Sequence, residues 1–276
     1  MSRAWAVSKR ELRAYFTTPI GYIVLGLYAL VTGLGFTAQF LFYAVMSESP
    51  INYDFPAVPN FEETFLSPFL TYCGLIFMFI VPMLTMRLFA EERNLGTIEL
   101  LFTHPLRDRD IVFGKFGAGF ILILAMIALL IVEILLIYRY TQVEAAVLAL
   151  GLVAVSLMGA AFLSAGLFIS VLCRNQTTAA VSTFGVFFLF FIIGYFGGEL
   201  PEENPAPAGW PADYRALAGV VYTVFRTVAT KLPIEAHAKE LAEGILQPAD
   251  LLYYVLFSAF FLFLTFRAIE ARRWRA

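Results

Sequence analysis

The chain has 276 residues and a formal net charge of −2. Of these residues 60% are hydrophobic and only 14% charged, with a mean hydropathy of +0.78. A soluble domain carries roughly 25% charged residues, so the composition excludes an ordinary soluble fold and points to an integral membrane protein. The small net charge says nothing further about partners, and no nucleic-acid partner is expected.

Residues 3–16 carry the period of an amphipathic helix. At about 100° per residue Trp5, Leu12 and Phe16 share one stripe, with Tyr15 beside it, while Arg3 and Arg10 lie opposite. Such a helix lies in the membrane interface with its aromatic face among headgroups; the plainer alternative is a basic flank that only sets orientation. The segment 1–18 is therefore taken as a cytoplasmic amphipathic helix, broken at Thr17-Thr18-Pro19. The apolar run after it is too long for a cleaved secretory signal and lacks a small-residue cleavage site, so it reads as retained.

A hydrocarbon core needs about 20 residues of helix. Six uncharged apolar runs approach that length, at residues 20–42, 65–86, 116–132, 145–172, 177–196 and 251–266. Putting the N-terminus inside leaves only Arg139, Arg215, Arg226, Lys231 and Lys239 outside, with 14 of the 19 basic residues on the inner side. The rule that Lys and Arg collect on the cytoplasmic side then gives cytoplasmic N- and C-termini.

The first outer loop is irregular and proline-rich. Pro82, near the inner end of the second run, should kink it. Glu133 is the one ionisable residue embedded in an apolar stretch, roughly 27 Å from Lys115 at about 1.5 Å per residue. An intramembrane acid is by default a site hypothesis, weighed here against a wetted helix end or a pairing with Arg139. In the fourth run Ser156, Ala160 and Ser164 recur at every fourth position, a face suited to close helix packing. Cys73 and Cys173 fall at different depths and read as packing residues rather than a disulfide.

The densest charge lies in the inner loop 87–115. Gly96 offers the left-handed residue that stops a helix, Thr97 can cap the next one, Glu99 suits its first turn, and Pro105 ends it. The product is a helix of about two turns with Leu95, Ile98, Leu101 and Phe102 on one side. It is too short to stand without docking. A solvated loop whose charges only enforce orientation is the alternative. Residues 197–250 form an outer segment with a Pro-rich opening, a helical pattern over 213–232, and a short helix over 234–243 stopped by Gly244. Neither helix is long and apolar enough to span.

The run Glu91-Glu92-Arg93-Asn94-Leu95-Gly96-Thr97-Ile98-Glu99-Leu100-Leu101, followed by His104-Pro105 and Gly114-Lys115, resembles the ABC-2 family of ATP-binding-cassette permeases. Lys9-Arg10-Glu11-Leu12-Arg13 before Pro19-Ile20-Gly21-Tyr22, and the terminal Arg272-Arg273-Trp274, are similar to its gliding-motility (GldF-like) subgroup. The resemblance covers nearly the whole chain. It implies an all-α ABC-2 (type V exporter-like) permease fold with six transmembrane helices, an N-terminal interfacial helix and external helices before the last span, so that 1–276 is a single transmembrane permease domain. It also implies a bacterial inner-membrane location. Two copies of an ATP-binding subunit would hold ATP and Mg, and the second permease would be another copy or a homologue, or a GldG-like auxiliary subunit would take its place. Motility itself does not transfer.

On this resemblance Glu91, Glu92, Arg93, Leu95, Gly96, Thr97, Ile98, Glu99, Leu101 and Phe102 couple the permease to ATP hydrolysis. Their apolar members would fill a partner's groove and their charges would set register at its rim. No Gly-x-x-x-x-Gly-Lys-Ser/Thr loop is present, so energy must come from another polypeptide. His104 and His237 are placed on opposite sides, against a two-His metal site, and no hydrolase signature appears. No catalytic, cofactor-binding or metal-binding residue is therefore assigned. Two other functions stay open. A transmitter would move a membrane or periplasmic partner without carrying solute, and a secondary transporter or channel would need midplane charges for which Glu133 is a poor candidate.

Overall fold

The computed structural model describes residues 3–48, 60–94, 96, 107–138, 144–201, 205–207 and 209–273. Within them the chain is helical, with no strand, and six helices are long and apolar enough to cross a membrane. An amphipathic helix α1 (Arg3–Thr17) turns at Thr18-Pro19 into the first span, α2 (Ile20–Glu48).

The second span, Glu62–Leu88, is not one regular helix. It opens with a π-helical turn at Glu62–Leu66, continues as α3 (Ser67–Leu75), and after Ile76 resumes as α4 (Phe77–Leu88). The helix is interrupted at Ile76, whose carbonyl accepts from both Phe79 and Ile80, about one and a half turns before the proline at which a kink was expected. Pro82 itself sits buried inside α4. A short helix α5 (Ala90–Asn94) follows, then the third span α6 (Asp108–Tyr138), the fourth α7 (Ala145–Leu172) and the fifth α8 (Gln176–Gly198). Asn175 starts α8 as expected of a cap, its side-chain oxygen accepting from the Thr178 amide at 2.7 Å. Beyond the fifth span lie α9 (Ala212–Lys231), a 3-10 turn (Ile234–His237), α10 (Ala238–Ala242) and the last span α11 (Pro248–Arg273).

α7 is the centre of the bundle, packed on α3, α4, α6, α8 and α11. The predicted small-residue face explains part of this, because Ala160 and Ser164 are buried. Close approaches also come at two glycines of α7. A Cβ on Gly159 would meet Ile123 Cγ2 at 2.8 Å, and one on Gly166 would meet Thr85 at 2.8 Å. Aromatic packing fills the adjoining core, with Tyr28 stacked on Phe77 at 5.5 Å and Phe61, Phe65 and Phe69 stacked in succession.

Glu133 is met by α2. Thr32 donates its hydroxyl to Glu133 Oε1 at 2.9 Å, while Arg139 lies outside the described residues. The cysteines are unpaired, as expected. On the side away from α1, His237 joins three elements. Its Nδ1 lies 2.6 Å from Asp250 Oδ1, its Nε2 lies 2.9 Å from the Lys231 carbonyl, and its ring stacks on Tyr253 at 3.9 Å. Gly244 has φ +82°, the left-handed stop expected after α10.

Candidate coupling site

The site is built where three pieces of chain meet at the end of the bundle that carries α1. The buried edge of α1 is Val7, Ser8 and Tyr15. It lies along the start of α6, and Gly114 permits the contact. A Cβ there would come within 2.6 Å of Val7 Cβ and 2.8 Å of the Ala4 carbonyl, while Ser8 Oγ donates to the Gly114 carbonyl at 2.7 Å. Tyr15 donates to the Leu84 carbonyl of α4 at 2.8 Å. Burial pushes the Tyr15 phenol well above its ordinary range, so it stays a donor. Trp5 and Phe16 remain exposed, whereas Leu12 of the same predicted stripe packs against the core.

At Phe89 the chain leaves the helix, which strips two backbone amides of intrahelical acceptors. Both find one oxygen. Phe89 N and Ala90 N donate to Ser170 Oγ of α7 at 3.3 and 3.2 Å. Arg93, in the next turn, caps the C-terminus of α7 by donating to the carbonyls of Val171, Leu172 and Cys173 at 3.2, 3.3 and 2.7 Å, where a cation suits the helix dipole. Burial and the neighbouring Arg174 hold its guanidinium below its usual value.

The centre is Lys115, whose side chain is 0% exposed. Its Nζ lies 3.1 Å from Glu11 Oε1 and 3.0 Å from Glu92 Oε1, with the Phe89 ring centroid 5.0 Å away. Arg10 closes the ring from the outer side, its Nη2 lying 2.6 Å from Glu11 and 2.8 Å from Glu92. Two cations and two anions thus balance. Burial tends to raise Glu11, but Lys115 and Arg10 outweigh it and hold the carboxyl below the ordinary glutamate value. For Arg10 burial opposes, yet the two carboxylates raise the guanidinium. A second set flanks this ring. Arg87 clasps Glu91 through two bonds of 2.7 and 3.0 Å and donates to Thr18 at 3.2 Å. Between the two sets lies a cavity of about 380 Å³ lined by Arg10, Glu11, Tyr15, Arg87, Glu91 and Glu92, among others.

Glu91, Glu92 and Arg93 differ from the sequence reading, which set them at a partner's rim. Here they bond within the chain, because α5 folds back onto α1, α6 and α7. Gly96 has φ +67°, the left-handed conformation expected of it. Leu95, Thr97, Ile98, Glu99, Leu101 and Phe102 lie outside the described residues, as do His104 and Pro105. Sequence reasoning missed Lys115, Glu11 and Ser170. The available signal was one acid, Glu11, inside an otherwise basic amphipathic helix.

Among the described residues no three His, Cys, Asp or Glu side chains gather as a metal ion would require. The arrangement is suited to holding three segments in fixed relation, not to bond chemistry. A family model described as ABC-2 family transporter protein matches residues 37–267. The chain belongs to this family. It is a membrane permease component of an ABC transporter, a non-catalytic transmembrane subunit, and membership implies association with an ABC ATP-binding subunit. A comparison with curated proteins finds no match.

Proposed function

We propose that this permease converts ATP hydrolysis in partner subunits into movement of its spans, and that the Lys115 ring is where the push is distributed. The observation that carries this is the buried Lys115, joined by carboxylates to α1 and to α5. A force applied to residues 91–105 reaches α5 first. From there Glu92 passes it to α6 and α1, Arg93 and Ser170 to α7, and the Phe89 turn to α4. Because Lys115 is fully buried between the two carboxylates, these three side chains move as a unit, since leaving that buried charge unpaired costs about 3–5 kcal/mol.

In this reading the end bearing α1 is cytoplasmic, as the distribution of basic residues supports, and the membrane is a bacterial inner membrane, as the resemblance implies. Two permeases would sit on two ATP-binding subunits that hold ATP and Mg, in the manner of the gliding-motility subgroup or with a GldG-like auxiliary subunit. Residues 1–276 would act as one permease domain. The paucity of polar residues in the spans fits export of a lipid-like cargo, or mechanical action on a membrane or periplasmic partner.

The test is purification from native membranes in mild detergent, with identification of accompanying proteins and measurement of ATPase activity. An ATP-binding subunit should accompany the wild type and be lost or uncoupled on Leu101→Glu, and Gly96→Pro should uncouple it because proline cannot take φ +67°. A permease repeatedly isolated alone and fully active would overturn the reading.

A further inference from the structure

The turn at residues 232–237, between α9 and α10, is gripped from two sides. On one is the end of α8, where Gly194 admits Pro233, which a Cβ there would meet at 2.9 Å, and Gly197 admits the Ala229 carbonyl at 2.7 Å. On the other is the start of α11. Tyr253 donates to the Leu232 carbonyl at 2.5 Å and Tyr254 to the Ile234 carbonyl at 2.8 Å, while Asp250 reaches His237. The tyrosine bonds are insensitive to pH near neutrality, because a phenol loses its proton only near pH 10, at about that value. The bond between His237 and Asp250 is of another kind.

Both side chains are only 10% exposed, which leaves little room for water. The Lys231 carbonyl, 2.9 Å from Nε2, has no hydrogen to give, so Nε2 carries one. Asp250 Oδ1, 2.6 Å from Nδ1, has none of its own as a carboxylate, so that contact closes only with a second proton held between the two. An imidazolium facing a carboxylate satisfies both nitrogens. Without that proton the Nδ1 lone pair and Oδ1 are two acceptors facing each other. Glu235, in the same turn, acts in the same sense. Its Oε1 is buried against Gly194, where a Cβ would meet it at 3.2 Å, and it accepts no hydrogen bond. Burial outweighs the bond from its own backbone and holds its carboxyl above the ordinary 4.5. Its stabilisation of the packed turn is therefore complete below 4.5 and is lost as pH rises through the raised value. Of the other charged groups on the elements packed against the turn, Lys231 of α9 and Glu240 of α10 are exposed, and Arg226 donates to the Leu200 carbonyl. The helices α3, α7 and α8 carry no Asp, Glu, Lys, Arg or His; their titratable side chains are Tyr72, Cys73 and the exposed Tyr195.

We infer that Glu235, His237 and Asp250 form an acid-tightened latch: the protons they hold clamp the turn at residues 232–237 between the fifth and last spans, and loss of those protons as pH rises sets the turn free. The latch lies on the side away from α1, which faces outward in the orientation given above, so it answers to acidity on that side of the membrane. Histidine places the switch between about pH 5 and 8, where no other unperturbed side chain changes its charge.

The test follows backbone hydrogen exchange by mass spectrometry on the intact protein in lipid nanodiscs, each rate being corrected for the intrinsic effect of pH. From about pH 5 to about pH 8, protection over residues 232–242 should fall roughly tenfold or more, the worth of one charge-assisted hydrogen bond, while α7 keeps its protection throughout. Asp250→Asn offers an amide hydrogen to a neutral Nδ1. Combined with Glu235→Gln it should hold the turn at about pH 8 as firmly as the wild type does at about pH 5. In a His104→Gln background His237 is the sole histidine. Its nitrogen-15 spectrum should show both ring nitrogens protonated at the acid end and only Nε2 protonated at the other. Wild-type protection that does not change with pH, a double variant that keeps the wild-type fall, or a His237 ring already neutral at about pH 5 would overturn the inference.

Discussion

Removing both carboxylates from the Lys115 ring should cost far more than removing each alone. In Glu11→Gln the buried ammonium keeps Glu92 at 3.0 Å, and in Glu92→Gln it keeps Glu11 at 3.1 Å. The new amide oxygen can still accept, so each single change loses one charge-assisted hydrogen bond, about 1–2 kcal/mol. The double change leaves a fully buried cation facing two neutral amides and an aromatic ring. Stranding a buried charge costs about 3–5 kcal/mol, so the pair should exceed the sum of the singles by about 1 kcal/mol, within the range seen for residues in one network. Arg10 adds little to this difference because its side chain is 52% exposed and water takes up its charge.

The sharper expectation is a reversal of sign. Lys115→Met fills a similar volume without charge, so in the wild type it strands two acids on Arg10 and should destabilise. In the Glu11→Gln, Glu92→Gln background the same change removes the stranded charge and should recover most of the loss, by about 2–3 kcal/mol. Equilibrium unfolding in mixed micelles titrated with SDS reads the wild type and all five variants on one scale. A double variant no worse than the sum of its parts, or a Lys115→Met change that destabilises both backgrounds equally, would refute the claim that the ring is a charge-balanced unit.

Three further outcomes follow from the same geometry. Glu11 titrates lower in the folded protein than its ordinary value of 4.5, so its contribution is complete above that value and is lost as pH falls through the depressed one; Glu11→Gln should flatten the acid limb of unfolding free energy against pH. Gly114→Ala should lift α1 from α6 and cost about 1–3 kcal/mol, whereas Gly26→Ala, whose Cβ meets nothing within 4 Å, should be neutral or stabilising by up to about 1 kcal/mol in the same titration. His237→Phe keeps a ring against Tyr253 but abandons Asp250, which is 7% exposed. It should destabilise by about 3 kcal/mol, and His237→Phe with Asp250→Leu should regain part of that loss.

Much of the architecture is legible because the bilayer imposes a length and a composition on each span. All six apolar runs became helices, and the differences are extensions. The run at residues 116–132 is the core of Asp108–Tyr138, and that at 251–266 the core of Pro248–Arg273. Charged residues end an apolar run but need not end a helix, since Asp108 and Asp110 suit the first turn of α6. The interruption at Ile76 was illegible for the converse reason. Proline marks a missing donor, but where the helix yields depends on what its neighbours hold, and Pro82 is buried within the bundle.

The Lys115 cluster shows the limit more sharply. Motif and charge density single out Glu91, Glu92 and Arg93 in the sequence, and a backbone requirement singles out Gly96, because these are local properties. Their partners are not local. Lys115 lies 104 residues from Glu11, and Ser170 lies 80 from Ala90. As a sequence Lys115 is one more inner-side cation, equivalent to Lys9 or Arg13 under the rule that sets orientation. What separates it is that α1 lies over it and excludes water, and α1 lies there because Gly114 has no side chain. A lysine in a basic flank may be exchanged for arginine without loss of topology. At a site with no exposure, where a single ammonium meets two Oε1 atoms near 3 Å, the larger planar guanidinium has no room to settle, and Lys115→Arg, which preserves every charge, should still loosen α1 from α5.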